Sequence, residues 1–181
     1  MTKFIGVIVM AALLTACASD KQKPFQNSEI NYSSSFTQIW DIAKAYWNDA
    51  RKDATPTTAI PLETIDIDKL TSDKENAIFK LGHSSVLLRV DGEFILIDPV
   101  FSERAFPVQW MGPKRFHQPP ISIADLPPIA AVVISHDHYD HLDKHTIKKL
   151  AAKTKRFVTP LRVGEHLQSW GITEDQIIEL N

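Results

Sequence analysis

Ala131-Val132-Val133-Ile134-Ser135-His136-Asp137-His138-Tyr139-Asp140-His141 is the stretch that decides the fold of this sequence. Its first five residues form an apolar run rich in valine and isoleucine, which predicts a buried strand. The last six place three histidines and two aspartates in a loop directly after that strand. Imidazole and carboxylate donors without a thiolate suit Zn²⁺, and also Fe or Mn. The loop is therefore predicted to bind metal, the alternative being a polar surface loop with chance histidines.

The segments on either side of this loop alternate between strands and helices. Asp91-Gly92 favours the two-residue turn of a β-hairpin upstream of the loop. Downstream, Asp143 suits the N-cap of a helix, and Gly171 suits the end of a second one. Strands are predicted over 77–81, 86–90, 93–97, 130–135, 156–159 and 176–180, and helices over 143–152 and 162–170. This order indicates an α/β fold.

The N-terminus has the layout of a secretory signal, with Lys3 followed by an apolar run over 4–14. The tetrapeptide Leu14-Thr15-Ala16-Cys17 resembles a bacterial lipobox. We therefore predict a lipoprotein signal peptide over 1–16, lipidation of Cys17 as the contact with the membrane, and a polar tether over 17–35. The alternative is an ordinary signal peptide with a chance cysteine.

The residue that follows Cys17 is Ala18 rather than aspartate. By resemblance to enterobacterial lipoproteins, this favours lipid anchoring in the bacterial cell envelope, at the periplasmic face of the outer membrane.

Residues 36–75 are predicted to form an N-terminal helix and an irregular lead-in to a domain over 76–181. The helix carries an apolar stripe that spans 36–50. This stripe is expected to pack on the domain rather than rest at the lipid interface, because its polar face is not basic.

Composition excludes some classes of protein. The net charge is −2 and 23% of residues are charged, so no basic surplus points to nucleic acid. Cys17 is the single cysteine, which rules out an intrachain disulfide.

Four further stretches extend the pattern of the metal loop. They are Leu81-Gly82-His83-Ser84-Ser85, Ile97-Asp98-Pro99-Val100-Phe101-Ser102-Glu103-Arg104, Met111-Gly112-Pro113-Lys114-Arg115-Phe116 and Asp125-Leu126-Pro127-Pro128-Ile129. With the His-x-His-x-Asp-His loop they resemble the metallo-β-lactamase superfamily and, within it, the N-acyl-phosphatidylethanolamine-hydrolysing phospholipase D group. The likeness covers residues 77–181. It implies the N-terminal half of an αβ/βα sandwich.

The resemblance also implies a site with two divalent metal ions, expected to be zinc. His136 and His138 would bind one metal, and Asp140 and His141 the other. Two such ions lower the pKa of a shared water, which can then attack phosphorus or a carbonyl carbon. Asp140 would also serve as the catalytic residue that handles a proton.

The function implied is that of a metal-dependent hydrolase, a phosphodiesterase that acts on N-acyl-phosphatidylethanolamine-like phospholipids. One alternative is a hydrolase of another ester or lactone, because fold and metals do not fix the substrate. Another is an inactive, truncated lipoprotein with a binding role.

Other polar residues leave alternatives open. Asp98 is either an acceptor that orients the metal loop or a turn residue before Pro99. Lys114 and Arg115 either meet a lipid phosphate or are solvated. The loop over 99–120 is an apolar wall for an acyl chain or a cover for the core. His83 is interpreted as structural, His145 and His166 as solvent-facing, and His117 has no ligand spacing; no substrate-binding residue is assigned.

Enzymes of this superfamily carry a further histidine, a bridging aspartate and a final histidine downstream of the first motif. None of these has a counterpart before Asn181. We therefore expect an N-terminal portion of a longer protein, with an exposed sheet edge and an uncovered apolar face. Residues 18–181 alone are expected to bind metal weakly and to turn over nothing measurable.

Overall fold

The chain divides into two compact units, Met1–Lys52 and Asp53–Asn181. A computed structural model describes residues 55–181, together with Thr37, Trp40, Asp41 and Lys44 of the first unit. These four residues are helical, within the helix predicted over 36–50. The signal segment, Cys17, the tether and the packing of the apolar stripe lie outside the described residues. No helix in the described part of the chain has the length and apolar character needed to cross a membrane.

A six-stranded mixed sheet forms the second unit, and its strand order is the order of the chain. Strands β1 to β3 are antiparallel, and β3 to β6 are parallel. The strands are β1 (Ala77–Gly82), β2 (Ser85–Val90), β3 (Glu93–Ile97), β4 (Ile129–Val133), β5 (Thr154–Pro160) and β6 (Ile177–Leu180). The helices are α1 (Ile67–Ser72), α2 (Lys144–Leu150) and α3 (Gly164–Ser169), with 3-10 turns at Ala151–Lys153 and Glu174–Gln176. The predicted α/β fold is confirmed.

The hairpin between β2 and β3 has the predicted two-residue turn. Asp91 and Gly92 both have positive φ, 50° and 81°, and Val90 pairs with Glu93 across the turn. Positive φ at both central residues is the requirement of a type I′ turn.

One face of the sheet is packed against the helices. Successive parallel strands are added in one direction, so right-handed crossovers place all their connections on the same side. A row of fully buried side chains crosses this face, and buried helix residues are packed with it in one apolar core. The row consists of Leu87, Leu96, Val132 and Phe157, and the helix residues are Ile147, Leu150 and Leu167.

The other face of the sheet is apolar but only half buried, as the sequence leads us to expect. Ile78 is 77% exposed and Ile178 is 40% exposed. Between these edge strands lie side chains of intermediate burial: Val86, Leu88, Ile95, Ile97, Ala131, Val133 and Val158.

Helix α1 lies in the segment that the sequence analysis treats as irregular. Asp66 caps it by accepting a hydrogen bond from the Lys69 backbone at 3.1 Å, and Leu70 is 2% exposed in the core. Buried Arg89 on β2 donates to the carbonyl oxygens of Leu70 and Glu75 at 2.8 and 2.6 Å. A six-residue helix with one buried side chain has no periodicity to recognise. The compact unit that contains α1 spans Asp53–Asn181, and the predicted domain bounds stay a prediction.

The second predicted helix, over 162–170, begins later than expected. Arg162 has φ +71°, which is incompatible with a right-handed helix, so α3 begins at Gly164. Gly171, with φ +95°, follows its end as predicted.

Candidate metal centre

The histidine loop leaves the carboxyl end of β4 and meets two other chain segments at the same edge of the sheet. One is Asp98, directly after the neighbouring strand β3. The other is the turn between β1 and β2, since Val86 of β2 pairs with Ile97 of β3. Three segments that are distant in sequence therefore converge beyond the strand ends, where α/β folds gather functional groups.

The four predicted metal ligands lie close together. The ring centroid of His136 is 4.6 Å from that of His138 and 4.0 Å from that of His141. The Nε2 atom of His141 is 3.6 Å from Oδ2 of Asp140. The structure thus places the four residues near one another, but among the described residues Asp140 and His141 form a group of ligand atoms within 4.8 Å with His83, and His136 and His138 are not part of that group. The assignment of individual ligands stays a prediction.

The carboxylate of Asp98 holds this cluster in place through hydrogen bonds. Its buried carboxylate accepts hydrogen bonds from the Ser135 backbone N–H at 2.7 Å, the Ser135 hydroxyl at 2.6 Å and Nδ1 of His141 at 2.8 Å. Of the two roles left open for Asp98, the structure shows the contact with the metal loop. Because Nδ1 of His141 is engaged, its Nε2 is left for a metal, which is the usual arrangement of a carboxylate behind a ligating histidine.

Ser85 fixes the turn that carries Asp98. Its hydroxyl is buried, donates to the Asp98 carbonyl oxygen at 2.7 Å and accepts from the Val100 backbone N–H at 2.9 Å. Asp98 itself has φ +42°, a conformation that aspartate tolerates better than most residues.

His83, interpreted from the sequence as a structural histidine, lies in this cluster. Its Nε2 lies 3.0 Å from Oδ2 of Asp140, and its ring centroid lies 5.7 Å from that of His141. One potential ligand atom from each of these three residues lies within 4.8 Å of the others. The sequence shows Gly82-His83 between two predicted strands. The contact between His83 and Asp140 could not be predicted, because the two residues are 57 positions apart and strand pairing brings them together.

The electrostatics keep Asp140 ionised. Burial acts to raise the pKa of this carboxyl, but its own backbone N–H, the hydrogen bond from His83 and the nearby His141 together hold it below its ordinary value. An ionised carboxylate beside several imidazoles is a donor set that fits zinc, iron or manganese.

The loop over 99–120 is held in place by two buried or half-buried charges. The Asp143 carboxylate caps α2 as predicted, and it also accepts from the Ser102 backbone N–H at 2.9 Å and the Ser102 hydroxyl at 2.9 Å. Arg115 donates to the carbonyl oxygens of Ser102 and Val100 at 2.8 and 2.7 Å. Burial lowers the pKa of Arg115, and Asp143 opposes this effect. Arg115 therefore acts as an anchor of the loop.

A cavity of about 320 Å³ opens beside His83 and Asp140. Lys114 and Glu103 form an ion pair of 2.7 Å at its wall. The apolar part of the lining consists of Ile60, Val100, Ala105, Pro113 and Phe116. Phe116 is 59% exposed, so the loop presents an aromatic surface beside the cluster.

Comparison with known proteins agrees with the fold. A beta-lactamase superfamily domain matches residues 93–181. The chain is 43% identical over 145 residues to an uncharacterised protein of Mycobacterium tuberculosis, a match that covers 79% of this chain and 37% of the relative. It is 33% identical over 178 residues to N-acyl-phosphatidylethanolamine-hydrolyzing phospholipase D 1 of Caenorhabditis elegans, with 88% of this chain and 50% of the relative covered. The mitochondrial enzyme of that name from Saccharomyces cerevisiae is 30% identical over 157 residues, with 80% of this chain and 33% of the relative covered.

The chain belongs to the metallo-β-lactamase superfamily of metal-dependent hydrolases. Its relatives include phospholipases D that hydrolyse N-acyl-phosphatidylethanolamine. The chain spans half or less of the length of these curated relatives.

Proposed function

We propose that the protein is a metal-dependent phosphodiesterase that cleaves N-acyl-phosphatidylethanolamine-like lipids. The observation that carries this proposal is the His-Asp cluster beside a largely apolar cavity, in a chain similar to two phospholipases D of that specificity. An apolar wall suits an acyl chain, and the adjacent cluster is placed to act on a phosphate.

Each residue of the cluster has a role in this proposal. His136 and His138 would hold one metal ion, and Asp140 and His141 would hold a second, with zinc as the expected metal. When bound, such ions would lower the pKa of a water molecule and stabilise developing negative charge. Asp140 moves a proton, and Asp98 holds the tautomer and orientation of His141 through the 2.8 Å hydrogen bond.

Lys114 supports a phosphate contact at the rim of the cavity. Its ammonium is paired with Glu103, but both side chains are about half exposed, so a phosphate can compete for the cation. Arg115 is less suited to this role, because its guanidinium is already used by loop carbonyls.

The test is an assay of the full-length protein, loaded with zinc, on N-acyl-phosphatidylethanolamine in mixed micelles. We expect release of an N-acylethanolamine that requires zinc and falls at least about 10³-fold in Asp140→Asn, since a metal ligand and a proton carrier are lost together. Lys114→Ala should raise KM with little effect on kcat.

Parallel assays separate the alternatives. Cleavage of ester or lactone substrates without phosphodiester cleavage would favour another hydrolase on the same fold. Absence of all metal-dependent turnover would favour the binding role of an inactive lipoprotein.

We also propose that the protein is lipid-anchored through Cys17 at the periplasmic face of the outer membrane. Its support is the lipobox-like Leu14-Thr15-Ala16-Cys17 after an apolar run. Cys17→Ala should abolish incorporation of labelled fatty acid, whereas Ser19→Ala should not change it. Incorporation of the label into the Cys17→Ala protein would contradict lipidation at Cys17.

A further inference from the structure

His83 is an exposed residue held in an unfavourable backbone conformation. Its φ is +41°, in the left-handed region that non-glycine residues rarely adopt, and its side chain is 66% exposed. His83 is the first central residue of the two-residue turn between Gly82 and Ser85, a position at which tight hairpin turns require positive φ. Because the exposed imidazole contributes little burial, its role is sought in what it contacts.

The turn that contains His83 binds Asp140 at two points. The hydroxyl of Ser84 donates to the backbone carbonyl oxygen of Asp140 at 3.0 Å, and Nε2 of His83 lies 3.0 Å from the carboxylate Oδ2. The Lys80 ammonium donates to the carbonyl oxygen of His83 and braces the turn from the other side. The backbone and the side chain of Asp140 are thereby both fixed by β1–β2.

Asp140 needs such support because packing gives it little. Its side chain is 42% exposed, so its carboxylate can rotate unless polar contacts restrain it. The 3.0 Å separation from His83 is within hydrogen-bond range, and an Nε2–H that donates to a carboxylate is not free to bind a metal.

We propose that His83 is a positioning residue that donates Nε2–H to Asp140 and selects the carboxylate rotamer presented to the metal. The proposal rests on the assignment of Asp140 as a ligand in the proposed function. It gives the β1–β2 turn a role that the His-x-His-x-Asp-His motif does not contain.

The test compares two substitutions that differ in their ability to donate. His83→Gln keeps an N–H at nearly the position of Nε2, whereas His83→Leu removes the donor; both are unbranched at Cβ and face the same backbone strain. Zinc affinity is measured on the full chain by competition with a chromophoric chelator, and the Tm of the metal-free protein is measured in parallel. We expect His83→Leu to lose about 10- to 100-fold in zinc affinity and His83→Gln to stay within about threefold of wild type.

His117→Leu is the matched control, because His117 lines the same cavity and its ring lies near Gly82. It should leave zinc affinity unchanged. Ser84→Ala, which removes the contact to the Asp140 backbone, should give a smaller loss than His83→Leu.

Several outcomes would overturn the proposal. Equal losses in His83→Gln and His83→Leu would make His83 a direct metal ligand. A change in Tm without a change in zinc affinity in either variant would make it structural, and absence of zinc binding by the wild type would remove its premise. The readout involves no substrate, so failure of the phosphodiesterase proposal, with zinc binding intact, leaves this one standing.

Discussion

Asp98 and Asp143 are both buried aspartates whose carboxylates accept several hydrogen bonds, yet they serve different parts of the molecule. Asp98 binds Ser135 and His141 of the metal loop, whereas Asp143 binds Ser102 and Thr146. Asp98 and Asp143 therefore share residue type and burial but differ in their partners. Substitutions at the two positions can distinguish support of the metal loop from support of the loop over 99–120.

Asp98→Asn should lower zinc affinity about 10- to 100-fold, because the amide replaces one acceptor oxygen with an NH2 group. This donor must face either the Ser135 backbone N–H or Nδ1 of His141, which weakens control of the His141 ring. Asp143→Asn should lower Tm but leave zinc affinity within about threefold. Isothermal titration and thermal unfolding of the two variants check this. Equal losses of zinc affinity in both would show that the metal site responds to stability alone.

At the scale of residues, the sequence analysis predicted the features that depend on residues close together in the chain. The motif ligands lie within six consecutive positions, so their convergence required only a loop after a strand. The partners of His83 and Arg115 were not predicted because tertiary contacts set them. These partners are the Asp140 carboxylate at the edge of the sheet, and the carbonyl oxygens of Val100 and Ser102.

Gly112 shapes the loop that lines the cavity. It has φ +86°, and a Cβ there would lie 2.5 Å from Cβ of Phe106, whose ring contacts Tyr139 of the metal loop. Gly92 has a similar φ of +81° but nothing within 4 Å. Alanine at either position would have a strained backbone, but only alanine at position 112 would also clash with a neighbouring side chain.

Gly92→Ala should reduce the free energy of unfolding by about 1–2 kcal/mol through left-handed strain alone. Gly112→Ala adds an overpacking penalty of about 1–3 kcal/mol, because Phe106 must move. Urea unfolding measures both. If the two substitutions have equal effects, the loop relaxes freely around position 112.

Helix α1 is fastened to the sheet by a buried cation. The Arg89 guanidinium, 3% exposed as a side chain, pairs with Asp73 at 2.9 Å beyond the helix end. The pKa of the Asp73 carboxyl is lowered from its ordinary value of 3.8. The main cause is the hydrogen bond from the Glu75 backbone N–H, and the next is the hydrogen bond from Arg89.

A carboxyl whose pKa is lowered by folding stabilises the folded state above its unfolded pKa, and this contribution is lost as pH falls through the folded value. Asp73→Asn should therefore be less stable than wild type at pH 5 to 7, and the difference should shrink below about pH 3.8, the ordinary value. Chemical unfolding over this pH range tests it, with Asp68→Asn on the same helix as the control. A difference that stays constant with pH would contradict the ion pair.

At the scale of the element, hydrophobic periodicity placed every strand within a few residues, because each strand buries one face. The helix bounds were less accurate where single dihedral angles decide them, as at Arg162. Helix α1 was missed since Arg89, which holds it, lies on a different element.

The half-exposed apolar face gives the whole molecule a measurable surface property. Contiguous apolar surface of this kind marks an interaction site or an aggregation liability. Ile78, on edge strand β1, is its most exposed member, at 77%.

Ile78→Lys should reduce binding of a hydrophobic dye and light scattering on concentration, because a lysine on an edge strand also opposes edge pairing. It should change the free energy of unfolding by no more than about 0.5 kcal/mol. Leu87→Ala, on the buried face of β2, should instead lose about 2–5 kcal/mol. If Ile78→Lys binds the dye as strongly as wild type does, the dye binds at another surface and this apolar face is not its site.

The identity of strand order and chain order has a consequence for how the molecule is assembled. Each strand pairs with the strand made just before it, so the sheet can grow in the direction of synthesis without waiting for a distant partner. Asp98 and Ser135 lie just beyond the ends of adjacent strands β3 and β4, and their contact needs only the pairing of those two strands. Chain order therefore permits this contact to form before β5 and β6 are synthesised, whereas the neighbouring Ile134 gains its hydrogen bond to Val158 only with β5.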